Sequence, residues 1–165
     1  MNNKLSIFVV FGNMNLNFGS LEACLSLFSK FDNVTIQSGY NLIKNYNSNW
    51  NVFDFSSKKV FEQYIIDNDI IVSHSGVGVI STVLKYNKMA FVIPRKHSLK
   101  EHTNNHQVEF VEEYNSSNIF YLFSNVEELK NLILKKKYLN KPMQKYITNL
   151  QPLKENILRY ISKNI

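Results

Sequence analysis

The strongest constraint on this chain is a hydrophobic period that keeps changing. Short apolar runs of strand length alternate with segments whose apolar residues recur at helical spacing. Residues 5–10, 34–37, 50–53, 70–73, 90–93 and 119–122 read as strands, the fifth stopped by Pro94. Between them, Leu21, Leu25 and Phe28, with Cys24 and Leu27 beside them, are spaced for a helix, as are Val60, Phe61, Tyr64 and Ile65. Residues 76–86 and 101–114 continue the pattern. Ser124-Asn125-Val126-Glu127 is a capping-box sequence that predicts a helix through residue 134. Strands separated by helices of this length need crossover connections. The expectation is therefore an α/β fold with a mostly parallel sheet and helices on both faces. With 165 residues, no internal repeat and no dividing linker, residues 1–165 read as a single domain.

Composition removes several alternatives. Hydrophobic residues make up 44% and charged residues 19%, enough apolar material for a packed core. The single cysteine, Cys24, excludes a disulfide framework and a cysteine-rich zinc site. No apolar run approaches the roughly 18 residues of a membrane-spanning helix. The opening residues lack the shape of a signal peptide, so a soluble cytoplasmic domain is expected.

Charge is uneven. Residues 129–165 hold nine Lys or Arg against one acid, Glu155, whereas the first 128 residues hold ten bases and twelve acids. The segment 141–165 therefore reads as a basic helical tail. Leu150, Leu153, Ile157 and Ile161 form an apolar stripe along it, with Lys154, Arg159 and Lys163 on other faces. Either the stripe packs back on the domain, or it docks a membrane-bound partner near an anionic surface.

In an open parallel sheet, ligands bind beyond the carboxyl ends of the strands. That rule brings residues 12–18, 73–78 and 94–107 to one rim. Ser73-His74-Ser75-Gly76-Val77-Gly78 joins a strand to a helix, where glycines admit a ligand to the backbone and first-turn amides suit phosphate oxygens. As a dinucleotide fingerprint it fails, because Ser81 stands at the third glycine and the strand is a late one. It also lacks the lysine of a P-loop. A tight turn needed only for packing would look the same. Pro94-Arg95 and then Glu101-His102-Thr103-Asn104-Asn105-His106-Gln107 put seven consecutive hydrogen-bonding side chains, 101–107, on the rim. His102 and His106 are spaced as on one helical face, but Thr103 stands where a zinc-protease helix needs Glu, and no third ligand is evident. No metal and no cofactor are expected. Asp67-Asn68-Asp69, the near match to a metal-binding acid pair, precedes a strand and reads as the end of a helix.

The order S-H-S-G-V-G, then V-I-P-R, then E-H-T-N-N-H-Q resembles the C-terminal, donor-binding half of family 28 glycosyltransferases, with I-F-V-V-F-G at the opening strand. The likeness is to the small catalytic subunits of two-part enzymes. These include the eukaryotic dolichol-linked N-acetylglucosaminyltransferase subunit and bacterial capsule and exopolysaccharide transferase subunits. It implies a Rossmann-like sheet equivalent to the C-terminal half of a GT-B glycosyltransferase. By the resemblance, Ser75, Gly76, Val77 and Gly78 line a nucleotide diphosphate, and Gly12 and Asn13 belong to the donor-binding site. Arg95, Glu101, His102, His106 and Gln107 lie near the donor sugar and diphosphate, and Asn105 is counted with the donor-binding residues. Thr82 occupies the position at which the peptidoglycan-building member has a Glu on the ribose; a neutral hydroxyl makes a weaker bond there. Lys100 replaces the usual Gly before Glu-His, and Asn105 the usual Asp.

The implied function is an inverting transfer of a hexose or N-acetylhexosamine from a UDP-sugar to a lipid-linked saccharide in surface polysaccharide synthesis. A membrane-anchored acceptor-binding subunit would be the partner, at the inner face of the membrane, with no nucleic acid involved. Such a reaction needs stabilisation of the leaving diphosphate, for which the glycine loop and Arg95 are candidates. It also needs a base, for which His74 and His106 are the weak candidates. The alternative is a non-catalytic enhancer that binds donor or partner and activates a separate membrane glycosyltransferase. A receiver- or flavodoxin-like module would want acids after the first strand, where Phe11-Gly12-Asn13 has none.

Overall fold

The computed structural model describes residues 5–44, 46–117 and 119–138. Six strands form one sheet: β1 (Ser6–Val10), β2 (Asn33–Gln37), β3 (Asn51–Phe53), β4 (Ile70–His74), β5 (Ala90–Ile93) and β6 (Tyr121–Leu122). Their spatial order is β3-β2-β1-β4-β5-β6, and every neighbouring pair is parallel. The helices are α1 (Gly19–Glu22), α2 (Lys58–Asp67), α3 (Val77–Lys85), α4 (His106–Tyr114) and α5 (Val126–Tyr138). This is the Rossmann-like arrangement expected, with the chain reversing its direction of travel across the sheet between β1 and β4.

Alternation along β1 explains why the central strands are apolar throughout. Ile7 and Val9 belong to one core with Phe18, Leu21, Phe28, Ile36 and Leu129, contributed largely by β2, α1 and α5. Phe8 and Val10 belong to the opposite core with Ile65, Ile80, Val83 and Phe110, from α2, α3 and α4. Both faces are covered, and each fully buried side chain of this size contributes about 1.5–3 kcal/mol. No helix among the described residues is long and apolar enough to cross a membrane.

Three local expectations change. The periodic segment 21–28 is not one helix: α1 ends at Glu22, and a 3-10 segment, Leu25–Lys30, follows. The helix expected over 101–114 begins only at His106, because residues 96–105 are held by other bonds. The Glu101 amide donates to Lys96 O at 3.1 Å, and the Asn104 side chain accepts the His106 amide at 3.1 Å. The cap of α5 lies one residue later than the capping-box sequence implied. Asn125 Oδ1 accepts the Glu128 amide, and Glu128 Oε2 reaches back to the Ser124 amide. The basic tail, 141–165, lies outside the described residues.

Candidate functional site

The cleft at the carboxyl ends of β1 and β4 has a volume of about 520 Å³. Gly12, Asn13 and Met14 after β1, Phe55 and Ser56 after β3, and His74, Gly76 and Gly78 after β4 line it. Thr82, Arg95, His102 and Gln107 complete the wall from the other side. The three loops placed on one rim by the sequence therefore converge, and a fourth, between β3 and α2, joins them.

His74 organises the glycine turn. Its Nδ1 accepts the Gly76 amide at 2.8 Å and lies 3.3 Å from Gln107 Nε2. With the Nδ1 lone pair engaged, the ring proton is assigned to Nε2, which lies against Gly12. Burial pushes the pKa of His74 down to about 3, and repulsion from Arg95 and His102 acts in the same direction. His74 is thus a neutral N–H donor at the cleft. It is too weak a base, with its lone pair already taken, to deprotonate a hydroxyl. Gly12 adopts φ +85, open to glycine, and a Cβ at either Gly12 or Gly76 would overlap the His74 ring.

Gly78 differs. A Cβ there would meet nothing within 4 Å. Intrahelical bonding in α3 starts with the Val79 amide on Gly76 O, so the Val77 and Gly78 amides have no acceptor within the helix. These donors, the positive end of the helix and open space coincide at one point, which is what an anionic phosphate requires. One turn further, Thr82 Oγ1 donates to Gly78 O at 2.8 Å, so its lone pairs are what it can offer a ligand.

Arg95 lines the cleft but is committed largely to backbone. Its side chain is 1% exposed, and its guanidinium donates to Leu16 O at 2.8 Å, Glu101 O at 2.9 Å and Phe11 O at 2.8 Å. The guanidinium also sits 4.3 Å above the Phe18 ring. Burial brings its pKa down to about 10 while Glu101 opposes the shift, so it remains charged near neutral pH. Three of its five N–H donors hold backbone, and its main contribution is to fix the loops of the rim. Glu101, also buried, accepts the Ser20 amide at 2.7 Å and the Lys96 amide at 3.3 Å. Gln107 Oε1 accepts the Arg95 amide, and the buried Ser75 Oγ donates to Gln107 O at 3.0 Å.

The remaining candidates separate. His102 lines the cleft, with Nδ1 accepting the Asn104 amide; burial first, then Arg95, lowers its pKa. His106 is exposed at the start of α4, 3.2 Å from Glu109 Oε2, and does not line the cleft. Asn105 is exposed at the same turn. His102 and His106 therefore do not share a helical face, and no group of three His, Cys, Asp or Glu suited to a metal occurs among the described residues. Asp69 receives the Ser6 amide and hydroxyl at the amino-terminal edge of the sheet, remote from the cleft. Phe55 and Ser56 in the loop after β3, and Phe61 on α2, were not read as site residues in the sequence, although the strand-end rule covers the loop after β3 as well.

The sequence pattern describing the glycosyltransferase family 28 C-terminal domain matches residues 11–163. The chain belongs to this family. No curated protein matches it in sequence. Among solved structures, this family 28 domain is similar to the calicheamicin glycosyltransferase CalG4 (TM-score 0.61, 12% identity, 96% of this chain and 39% of that one). It is similar also to the glycotransferase of kitacinnamycin (TM-score 0.65, 13% identity, 95% and 41%). A third likeness is to ALG13 (TM-score 0.51, 18% identity, 84% and 89%). The family 28 domain thus spans about two-fifths of the first two chains and most of the third. Its fold is that of the C-terminal half of a GT-B glycosyltransferase.

Proposed function

We propose that this chain is the donor-binding half of a glycosyltransferase that moves a hexose or N-acetylhexosamine from a UDP-sugar. The observation that carries the reading is the coincidence, over Gly78, of free first-turn amides of α3 and unfilled space. The diphosphate rests on the Val77 and Gly78 amides, where preorganised dipoles stabilise the charge of the departing UDP. His74 Nε2–H adds a neutral donor, and Thr82 Oγ1 accepts a ribose hydroxyl. An acceptor hydroxyl attacks the anomeric carbon with inversion, the bond to the phosphate oxygen breaks, and the proton passes to a base.

That base belongs to the acceptor half. His74 is a donor in this cleft, and His106 does not line it. The acceptor is a lipid-linked saccharide of surface polysaccharide synthesis, held by a membrane-anchored partner that keeps this chain at the cytoplasmic face. The same shortage of a base favours a second reading, an enhancer that binds donor without turnover. Calorimetric titration with UDP and a panel of UDP-sugars, followed by transfer assays with the co-expressed partner, separates the two. Binding with transfer supports the enzyme and binding without transfer the enhancer; no UDP binding refutes both.

A further inference from the structure

A second cleft, of about 450 Å³, lies beside the first and has no part in the donor site. Asn15, Asn17, Glu22, Tyr40, Leu42 and Lys44 line it over a floor that includes Asn41. The floor is rigid: Asn41 Oδ1 accepts the Phe18 amide and its Nδ2 donates to Ser38 O, both at 2.9 Å. The walls carry groups that the fold does not use, since no hydrogen bond among the described residues engages the side chains of Asn15, Asn17, Tyr40 or Lys44.

The chemistry of this cleft differs from that over Gly78. Of the amides at the start of α1, that of Phe18 is taken by Asn41 and that of Ser20 by Glu101. Glu22 and Lys44 offset each other in charge. An anion therefore has no net positive field to bind. What remains is two carboxamides, a carboxylate, a phenol and an ammonium around an apolar surface, with Tyr40 60% and Leu42 76% exposed. Alternating donors and acceptors match the hydroxyls of a sugar ring. The electron-rich face of an aromatic ring suits the ring's polarised C–H bonds. The two clefts are also adjacent. Asn13 and Met14 line the first while Asn15 and Asn17 line the second, and the Tyr40 ring packs 4.9 Å from that of Phe55, a donor-cleft residue.

We infer that the second cleft is a saccharide subsite that takes an uncharged hexose or N-acetylhexosamine unit of the acceptor chain alongside the bound donor. The inference rests on the donor reading above and places part of acceptor recognition on this half. Its test uses the full, isotopically labelled chain, with amide shifts followed by NMR. The probes are glucose, galactose, N-acetylglucosamine, cellobiose, lactose and, separately, UDP and inorganic phosphate. At least one saccharide is expected to shift the Asn15, Asn17 and Tyr40 amides equally with and without saturating UDP. Tyr40→Ala and Asn17→Ala, both at exposed positions, should weaken that binding; the loss for Tyr40→Ala should be about five-fold, the worth of one aromatic contact. UDP affinity should not change in either variant. The inference fails if no saccharide shifts these amides, if UDP displaces the saccharide, if phosphate gives the same shifts, or if neither variant weakens binding. Saccharide shifts at the second cleft without any UDP shift near Gly78 would instead overturn the donor assignment.

Discussion

The Gly76 amide donates to His74 Nδ1 at 2.8 Å, and any side chain at residue 76 would overlap that same ring. Two residues on, Gly78 has nothing within 4 Å of where a Cβ would stand. The two glycines of one motif therefore answer to different needs, the first to the fold and the second to open space at the cleft.

Gly78→Ala should fold with unchanged or raised stability, up to about 1 kcal/mol, because Ala is the better helix former. Gly76→Ala should lose about 1–3 kcal/mol through overpacking on His74. Gly78→Val fills the space above the α3 amides and should weaken UDP binding at least ten-fold in a folded protein. Urea denaturation and calorimetry read the two effects; unchanged UDP affinity in Gly78→Val would discard the phosphate site.

Lys100 occupies the left-handed region at φ 57. A left-handed L-residue costs about 1–2 kcal/mol, part of which a flexible Gly returns through the unfolded chain. Lys100→Gly should raise stability by up to about 1 kcal/mol, seen as a higher urea midpoint with an unchanged slope. A lower midpoint would mean that the lysine side chain contributes more than the strain removes.

Arg95→Met leaves the carbonyls of Phe11, Leu16 and Glu101 without their donor and Glu101 without its cation. The expected loss is on the order of 3–5 kcal/mol. Arg95→Lys keeps the charge but not the fork, and should fall between. Full stability in Arg95→Lys with UDP affinity lost would make Arg95 a ligand contact rather than a brace.

The His74 pKa falls from 6.5 to about 3 on folding, so between those values the unfolded chain binds more protons than the native one. Stability from this group is complete above about pH 6.5 and declines as pH drops toward 3, by up to about 1.4 kcal/mol per pH unit. His74→Asn, whose Oδ1 can still accept the Gly76 amide, should flatten the pH dependence of the urea midpoint. An unaltered slope would show that His74 titrates normally.

Thr82→Glu supplies a carboxylate where Thr82 Oγ1 offers neutral lone pairs one turn from Gly78. A charge-assisted bond to the ribose is worth about 1 kcal/mol more than a neutral one, or about five-fold in UDP affinity. Thr82→Val should weaken binding. Equal affinity across wild type and both variants would move the ribose elsewhere.

Strand positions were legible in the sequence because the central strands β1, β4 and β5 are local apolar runs buried on both faces, and β2 alternates apolar and polar residues. The convergence of loops followed from topology. Residues 101–105 were not legible: their spacing suits a helix, but Arg95 and Lys96 claim the backbone of Glu101, and the Asn104 side chain takes the His106 amide where the helix begins. The bracing role of Arg95 was not legible either. Its Phe11 partner lies 84 residues away, and no local pattern announces a guanidinium committed to distant carbonyls.

Strand order has a consequence for how the chain comes into being. Synthesis releases β1 first, but its two neighbours are β2 and β4, and the register with β4 runs from Ile7 to Ile70. From its emergence until residue 74 has left the ribosome, one flank of this apolar central strand has no mate. The brace from Arg95 and Gln107 arrives later still. The nascent chain thus passes through a stage at which a chaperone or a foreign strand could occupy the β4 side of β1, and translation rate over residues 37–74 sets how long that stage lasts.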